Sequence, residues 1–397
     1  MNVKDIIETI YPEILEIRRD FHRHPEISEY EERTARKVSE FLSSHNIDHV
    51  NKVAGHGVVA TIQGKKKAEK TQKFPVIAIR ADMDALPMEE LIDTPFKSLN
   101  KGVMHSCGHD IHTAVLLGTA KILKSLEDKF SGTIKLFFQP AEETIGGAKY
   151  IIEEGYMEDP HVDAVIGLHV NPFLEVGSVE FRYGKMNATS SEFEITVEGI
   201  SCHAAYPNTG IDPLLPACQI VTSFQSILSR NLAATNSGII TVGEFHSGTK
   251  TNIIPSFAKL TGTMRALDAQ TKDYMSRRME EIVDFTCKSF GASSSMFFKD
   301  SYPALVNDDD IVRIMDEVAL LHLGKEKISY MQEPSLGAED FSFFCEVAKS
   351  AYFTIGVKKE GVDEPFPLHS PYFDPDEEAM KIGMLMEVEG ALRLLEE

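Results

Sequence analysis

His105-Ser-Cys-Gly-His-Asp110 sets a thiol, Cys107, two residues from an imidazole, His109, directly ahead of a run with helical spacing. Leu116, Leu117, Ala120 and Leu123 recur on one face, which predicts an amphipathic helix over 111–126 with Asp110 as its N-cap. Cys107 and His109 then stand just before the positive end of a helix dipole, which favours a thiolate. A thiolate beside an imidazole suits a transition-metal ion. It also suits a Cys–His nucleophilic pair. The surrounding chain has to separate the two.

On either side of this stretch, short apolar runs end in polar residues of ligand type. Phe74-Pro-Val-Ile-Ala-Ile79 reads as a buried central strand and runs into Arg80-Ala-Asp82-Met-Asp84. Gly132–Phe138 reads as a second strand and ends in Gln139-Pro-Ala-Glu142-Glu143. On an extended chain, adjacent carboxylates point to different sides, so one can bind a metal while its neighbour faces a substrate water. Asp163–Leu168 reads as a third strand ending in His169, and Tyr352–Val357 as a fourth, followed by Leu368-His369. In open parallel α/β sheets, ligands collect at the C-terminal strand edge.

The pattern changes in mid-chain. Strand 191–198, helix 212–230, strands 238–246 and 256–267, helix 271–290 and strand 293–299 follow the split βαβ order of a small ferredoxin-like domain. Leu214, Cys218, Val221, Phe224 and Leu228 read as the buried face of one helix, and Met275, Met279, Ile282 and Phe290 as that of the other. Such an insert is tolerated where its ends lie close together. The domains are therefore expected at 187–298 for the insert, and at 1–186 with 299–397 for a discontinuous catalytic domain.

Composition narrows the function. At 397 residues two domains are expected, and a formal charge of −21 argues against nucleic acid and anionic membranes as partners. The N-terminus carries scattered charges rather than a signal-peptide core, and no run of 18 apolar residues is present. Five widely spaced cysteines point to a reducing cytoplasm rather than a disulfide framework. His22-Arg-His-Pro reads as structural support. Gly55–Ile62 lacks the helix that a dinucleotide fingerprint needs, and lysine-rich 64–73 reads as a solvated hairpin tip.

The residues alone assemble one candidate cluster: Cys107, His109, Glu143, His169 and His369 as ligands for two divalent ions, with Glu142 left as a base. That combination points to hydrolysis. A Cys–His protease would need an orienting Asn or Asp and no extra ligands. The motifs RADMDALP (80–87), MHSCGHDIHTA (104–114), QPAEE (139–143), GLHV (167–170), CHAAYP (202–207), TNIIP (251–255), GTMRALD (262–268), GAEDFSFF (337–344) and LHSP (368–371) run in order over almost the whole chain. In these the chain resembles the amidohydrolase branch of the metal-dependent aminoacylase and carboxypeptidase superfamily, with its hippurate, auxin-conjugate and N-acyl-amino-acid hydrolases.

The resemblance implies an α/β fold: a zinc-exopeptidase-like catalytic domain with a central, mostly parallel sheet, and an inserted ferredoxin-like lid and dimerisation domain. It implies that Cys107 bridges two metal ions, with His109 and His169 completing one site and Glu143 and His369 the other. Glu142 matches the general base, and His203 the histidine that reaches the oxyanion across a dimer interface. Asn252 and Arg265 match residues that hold the substrate α-carboxylate, Gly337 is placed with them at the substrate, and Asp84 matches a carboxylate supporting the ligands. The ions expected are Zn or Mn, with Co or Ni also compatible. The substrate expected is an N-acyl-L-amino acid, the alternative a short peptide cut by a dipeptidase or carboxypeptidase, and the assembly a homodimer or homotetramer. A thiol-nucleophile enzyme, or a non-catalytic acyl-amino-acid binding protein, is the reading from another class.

Overall fold

The computed structural model describes residues 2–68 and 71–397. The chain forms two compact units, one of Met1–Gly184, Val306–Gln332 and Phe343–Glu397, the other of Lys185–Leu305 and Glu333–Ser342. The second unit is thus larger than the 187–298 expected, and it takes up 333–342 as well. Backbone bonds account for that: Ser335 N donates to Met186 O at 2.8 Å, and Ala188 N donates to Ser335 O and Gly337 O at 3.1 and 3.2 Å.

The first unit opens with α1 (Val3–Arg23), started by a capping box in which the Asn2 side chain accepts from Asp5 N at 2.9 Å. Then come α2 (Glu32–Ser44), an antiparallel pair β1 (Asp48–Val53) and β2 (Gly57–Gln63), and β3 (Val76–Asp82), buried along its whole length. Helix α3 (His109–Ser125), β4 (Thr133–Gln139), β5 (Ala164–Glu175) and β6 (Val179–Phe181) follow. Residues 64–73 link β2 to β3, which flank β4 on opposite sides. The two strands run antiparallel with β4 between them, so the link is not the tip of a tight hairpin as expected; Glu69 and Lys70, which that expectation included, lie outside the described residues.

The second unit holds β7 (Ser190–Glu198), α4 (Leu214–Ser226), β8 (Gly238–Ser247), β9 (Phe257–Ala266), α5 (Ala269–Ser289) and β10 (Ser293–Tyr302). Its sheet has the order β8-β9-β7-β10, antiparallel throughout. Two expected helix faces are rotated. On α4 the buried residues are Pro216, Ala217, Ile220 and Phe224, while Cys218, expected in the core, is exposed. On α5, Val283 and Cys287 are buried where Ile282 and Phe290 were expected, and Phe290 is exposed. Each helix carries apolar residues on two neighbouring stripes, so spacing alone does not choose between them.

Back in the first unit, α6 (Asp309–His322), β11 (Ile328–Tyr330), β12 (Lys349–Lys358) and α7 (Ala379–Leu395) complete the fold. The sheet is mixed and mostly parallel through its centre, in the order β1-β2-β4-β3-β5-β12-β6-β11. The chain goes from β3 through α3 to β4 on one side, then returns to β5 on the other side of β3. This is a topological switch point, where α/β sheets bind ligands. β3 pairs with β5 only from Ile77 to Arg80, after which β3 continues beside β4 and β5 beside β12. Asp82, Gln139 and His169 emerge where the strands part. His169 lies inside β5, which runs on to Glu175, not at its end as expected, because pairing with β12 carries the strand onward. Among the described residues no helix is long and apolar enough to cross a membrane.

Helix α3 is buried nearly all round instead of being amphipathic. It packs against α1 and α7 as well as the sheet. One polar contact in that packing is pH-sensitive. Glu387 of α7 is buried, Thr119 of α3 donates to its Oε2 at 2.7 Å, and Oε1 has no hydrogen-bond partner among the described residues. Burial pushes this carboxyl up to about 8. The folded chain therefore keeps a proton that the unfolded chain releases near pH ~4.3, so stability falls as pH rises across that window. Glu387→Gln should melt at higher temperature than the parent at about pH 8, with the gap closing towards about pH 5. Parallel melting curves at both pH values would contradict this.

Candidate metal centre

Each candidate ligand is delivered by a different piece of the first unit. Cys107 precedes α3, and His109 is its first residue. The N-cap is Gly108, at φ +86°, and not Asp110. A side chain at Gly108 is excluded, since a Cβ there would lie 2.5 Å from Val170 Cγ2. Asp110 is engaged elsewhere: Arg18 Nε is 2.9 Å and His22 Nδ1 2.7 Å from its Oδ2, all three residues buried. His22 Nε2 in turn lies 3.3 Å from Glu90 Oε1. His22 is thus structural support for the loop, as expected.

The structure brings the five expected ligands together. Cys107 Sγ is 3.4 Å from His169 Nε2 and 3.3 Å from His369 Nε2, and His369 Nε2 is 3.0 Å from Glu143 Oε1. Donor atoms of Cys107, His109 and His169 lie within 4.8 Å of one another, as do those of Cys107, Glu143 and His369. Two three-residue donor sets therefore share one sulfur. Glu142, buried, belongs to a further close set with His109 and Glu143. His369 has φ +59°, a strained value for a non-glycine residue, and its N–H donates to Ser106 O at 2.9 Å.

These residues fit metal ions on two counts. The donor set of sulfur, imidazole nitrogen and carboxylate oxygen is that of a transition-metal site. His109 Nε2 is also buried without a hydrogen-bond partner among the described residues, while Nδ1 is held by Asp84 O at 2.9 Å and Oδ1 at 3.1 Å. This is the arrangement of a ligating histidine whose far nitrogen is fixed from behind. Burial by itself would raise the Cys107 thiol, but the facing His109 and His169, when charged, bring it down to about 6, so a thiolate is available at neutral pH.

Asp84 does more than orient His109. Its Oδ2 accepts from Ser28 Oγ at 2.7 Å and from Glu143 N at 2.9 Å. Burial opposes its ionisation, yet the His109 imidazole and the Glu143 amide hold the carboxyl below its usual value.

Two residues of the site, His112 and Arg80, have no role expected from the sequence. His112 Nε2 accepts from Val170 N at 3.0 Å, so Nδ1 carries the proton and donates to Asp82 Oδ1 at 2.6 Å. With both nitrogens used, His112 braces the strand beside His169 and is not a ligand. Arg80 ties Asp82, at 2.6 Å, to Gln139, at 2.8 Å. The i, i+3 spacing of His109 and His112 was the available signal for this brace.

The other expected residues lie in the second unit. His203 and Asn252 are neighbours: Cys202–His203 pairs with Ile253–Ile254, and Ala204 N donates to Asn252 O at 3.0 Å. His203 is exposed, and its Nδ1 accepts from Ala205 N at 3.0 Å. Arg265 lies on β9, with a buried Nη1 that has no hydrogen-bond partner among the described residues. Gly337 is exposed, its N–H donating to Ser335 Oγ at 3.0 Å.

A switch-point sheet edge with such a donor cluster fits a metal-dependent hydrolase. The chain belongs to peptidase family M20/M25/M40, whose model matches residues 78–389. It is 39% identical over 394 residues to thermostable carboxypeptidase 2 of Saccharolobus solfataricus, covering 96% of this chain and 95% of that one. It is 34% identical over 391 residues to the N-acetyl-L-cysteine deacetylase of Bacillus subtilis, covering 98% and 90%. The crystal structure of Bacillus subtilis YXEP, described as a dinuclear metal binding peptidase from the M20 family, superposes with a TM-score of 0.83 at 30% identity, covering 98% of this chain and 99% of that chain. The family, the fold class and the hydrolase activity expected from the motifs are thereby borne out.

Because Asp84 fixes both His109 and the Glu143 backbone, Asp84→Ala should weaken metal binding about 10–100-fold. Competition against a chromophoric chelator measures this. Parent-like affinity in a folded variant would remove Asp84 from that role.

Proposed function

We propose that the protein is a dinuclear amidohydrolase that cleaves N-acyl-L-amino acids to a carboxylic acid and a free amino acid. The observation that carries this reading is the pair of donor sets sharing Cys107, with the buried carboxylate of Glu142 beside them. Cys107, His109 and His169 would hold one ion, and Cys107, Glu143 and His369 the other, Zn or Mn in either place. Divalent ions, when bound there, supply an acidified water and a polarised carbonyl.

The chain's own groups supply the proton traffic. Glu142 takes the proton from the attacking water and returns it to the leaving amine. His203 is assigned to the developing oxyanion, Asn252 and Arg265 to the substrate carboxylate, and Gly337 to the backbone lining at the substrate. The unsatisfied Nη1 of Arg265 supports that assignment, since a guanidinium matches a carboxylate. A homodimer or homotetramer in the cytoplasm completes the reading. Similarity to a deacetylase supports acyl substrates. Similarity to a carboxypeptidase supports short peptides as the second reading.

A hydrolysis panel separates them. Chelator-stripped protein, resupplied with Zn or Mn, should release free amino acid from N-acetyl- and N-benzoyl-amino acids faster than from matching dipeptides; the reverse order would make it a peptidase. Glu142→Gln should retain metal and lose about 10²–10⁴-fold in turnover. Near-parent turnover would take the base role from Glu142.

A further inference from the structure

The loop that presents Glu142 and Glu143 is held in an unfavourable conformation from outside. Ala141 has φ +55°, where an L-residue with a Cβ is disfavoured. Its carbonyl accepts from Gly146 N at 3.1 Å and Gly147 N at 3.3 Å. The turn is so tight that a Cβ on Gly147 would lie 1.9 Å from Pro140 O. The Ala141 N–H donates to Oε1 of Glu31 at 2.7 Å. Glu31 is fully buried and lies just ahead of α2, over a hundred residues away in sequence. Two residues further along the loop, Glu143 N donates to Asp84 Oδ2 at 2.9 Å. Alternate amides of the loop are therefore gripped by two buried carboxylates, and Glu142 is the residue between them.

We propose that Glu31 is a positioning residue for Glu142, holding Ala141 in the left-handed region so that the following side chain is aimed correctly. The proposal rests on the reading of Glu142 as base. The two grips divide the labour. Asp84 secures Glu143, a candidate ligand, and does so without Glu31. Glu31 secures the residue ahead of the base, its other backbone bonds lying within its own segment, at Glu29 and Glu31. Loss of the Glu31 bond lets Ala141 relax towards negative φ, which rotates the Glu142 peptide while Glu143 stays anchored. The signature is a loss of turnover without a loss of metal.

Glu31→Met fills the same space without an acceptor. Measured on the best N-acyl-amino acid substrate, it should lower kcat about 10–100-fold, leave KM within about twofold, and leave the metal content per chain unchanged. Glu31→Gln keeps an acceptor oxygen for Ala141 N–H and should restore most of kcat. Adding Ala141→Gly to Glu31→Met should restore part of it, because glycine enters positive φ without steric cost. Ala141→Val approaches the same hinge from the loop and should lower kcat, whether or not Glu31→Met folds. Parent-like kcat in Glu31→Met or Ala141→Val would overturn the proposal, as would loss of metal alongside activity in Glu31→Met. Glu142→Gln run in parallel separates the two claims: if it stays active, the base reading fails; if it is dead and Glu31→Met is not, the positioning role fails.

Discussion

The buried carboxylate of Asp84 takes a hydrogen bond from the Ser28 hydroxyl on one oxygen together with one from the Glu143 amide, while its other oxygen faces His109 Nδ1. Those three partners come from the segment between α1 and α2, the loop after β4 and the start of α3. Asp84 itself follows β3. One ionised group thus fixes the relative positions of four chain segments, two of which carry candidate ligands. Such a charge is costly to bury unless fully hydrogen-bonded, and here each oxygen has a partner. The arrangement is satisfied only when the segments are in place together, so the geometry of the site depends on the fold around it.

Behind it stands a second buried polar assembly. Arg18 and His22 of α1 meet Asp110 at the start of α3, and His22 also reaches Glu90. Ion pairs of this kind add little net stability compared with apolar packing. Their effect is on geometry: they claim the Asp110 side chain, leave Gly108 to turn the chain into α3, and so set where Cys107 and His109 stand. The Arg80–Asp82–His112–Val170 chain does the same for His169 from the other side. The candidate ligands are held from behind by hydrogen bonds to buried side chains and backbone.

Much of the fold and of the candidate ligand set was legible because apolar strands are easy to recognise and the residues flanking them are chemically conspicuous. Glu142 and Glu143 follow an apolar run, Cys107 and His109 precede the helix, and the order of elements in the second unit follows from alternating periodicities. What escaped was information that residue type does not carry. Segment 333–342 joins the second unit through backbone bonds to 186 and 188, and any side chains would serve there. Cys218 and Ala217 are both admissible on a buried stripe, and only the packing of α4 chose between them. Asp110 looked like a cap because Asp often is one; its true partners, Arg18 and His22, lie some ninety residues earlier. Glu31 acts on a backbone amide far along the chain, a contact no local pattern encodes.

The central claim is that one thiolate serves two metal sites. Stepwise titration of chelator-stripped protein with cobalt(II), followed in the near-ultraviolet where thiolate-to-metal charge transfer absorbs, tests it most directly. The account predicts saturation at two equivalents per chain, with the charge-transfer band changing during both, and no such band in Cys107→Ala. Saturation at one equivalent, or a second equivalent that leaves the thiolate band untouched, would contradict it.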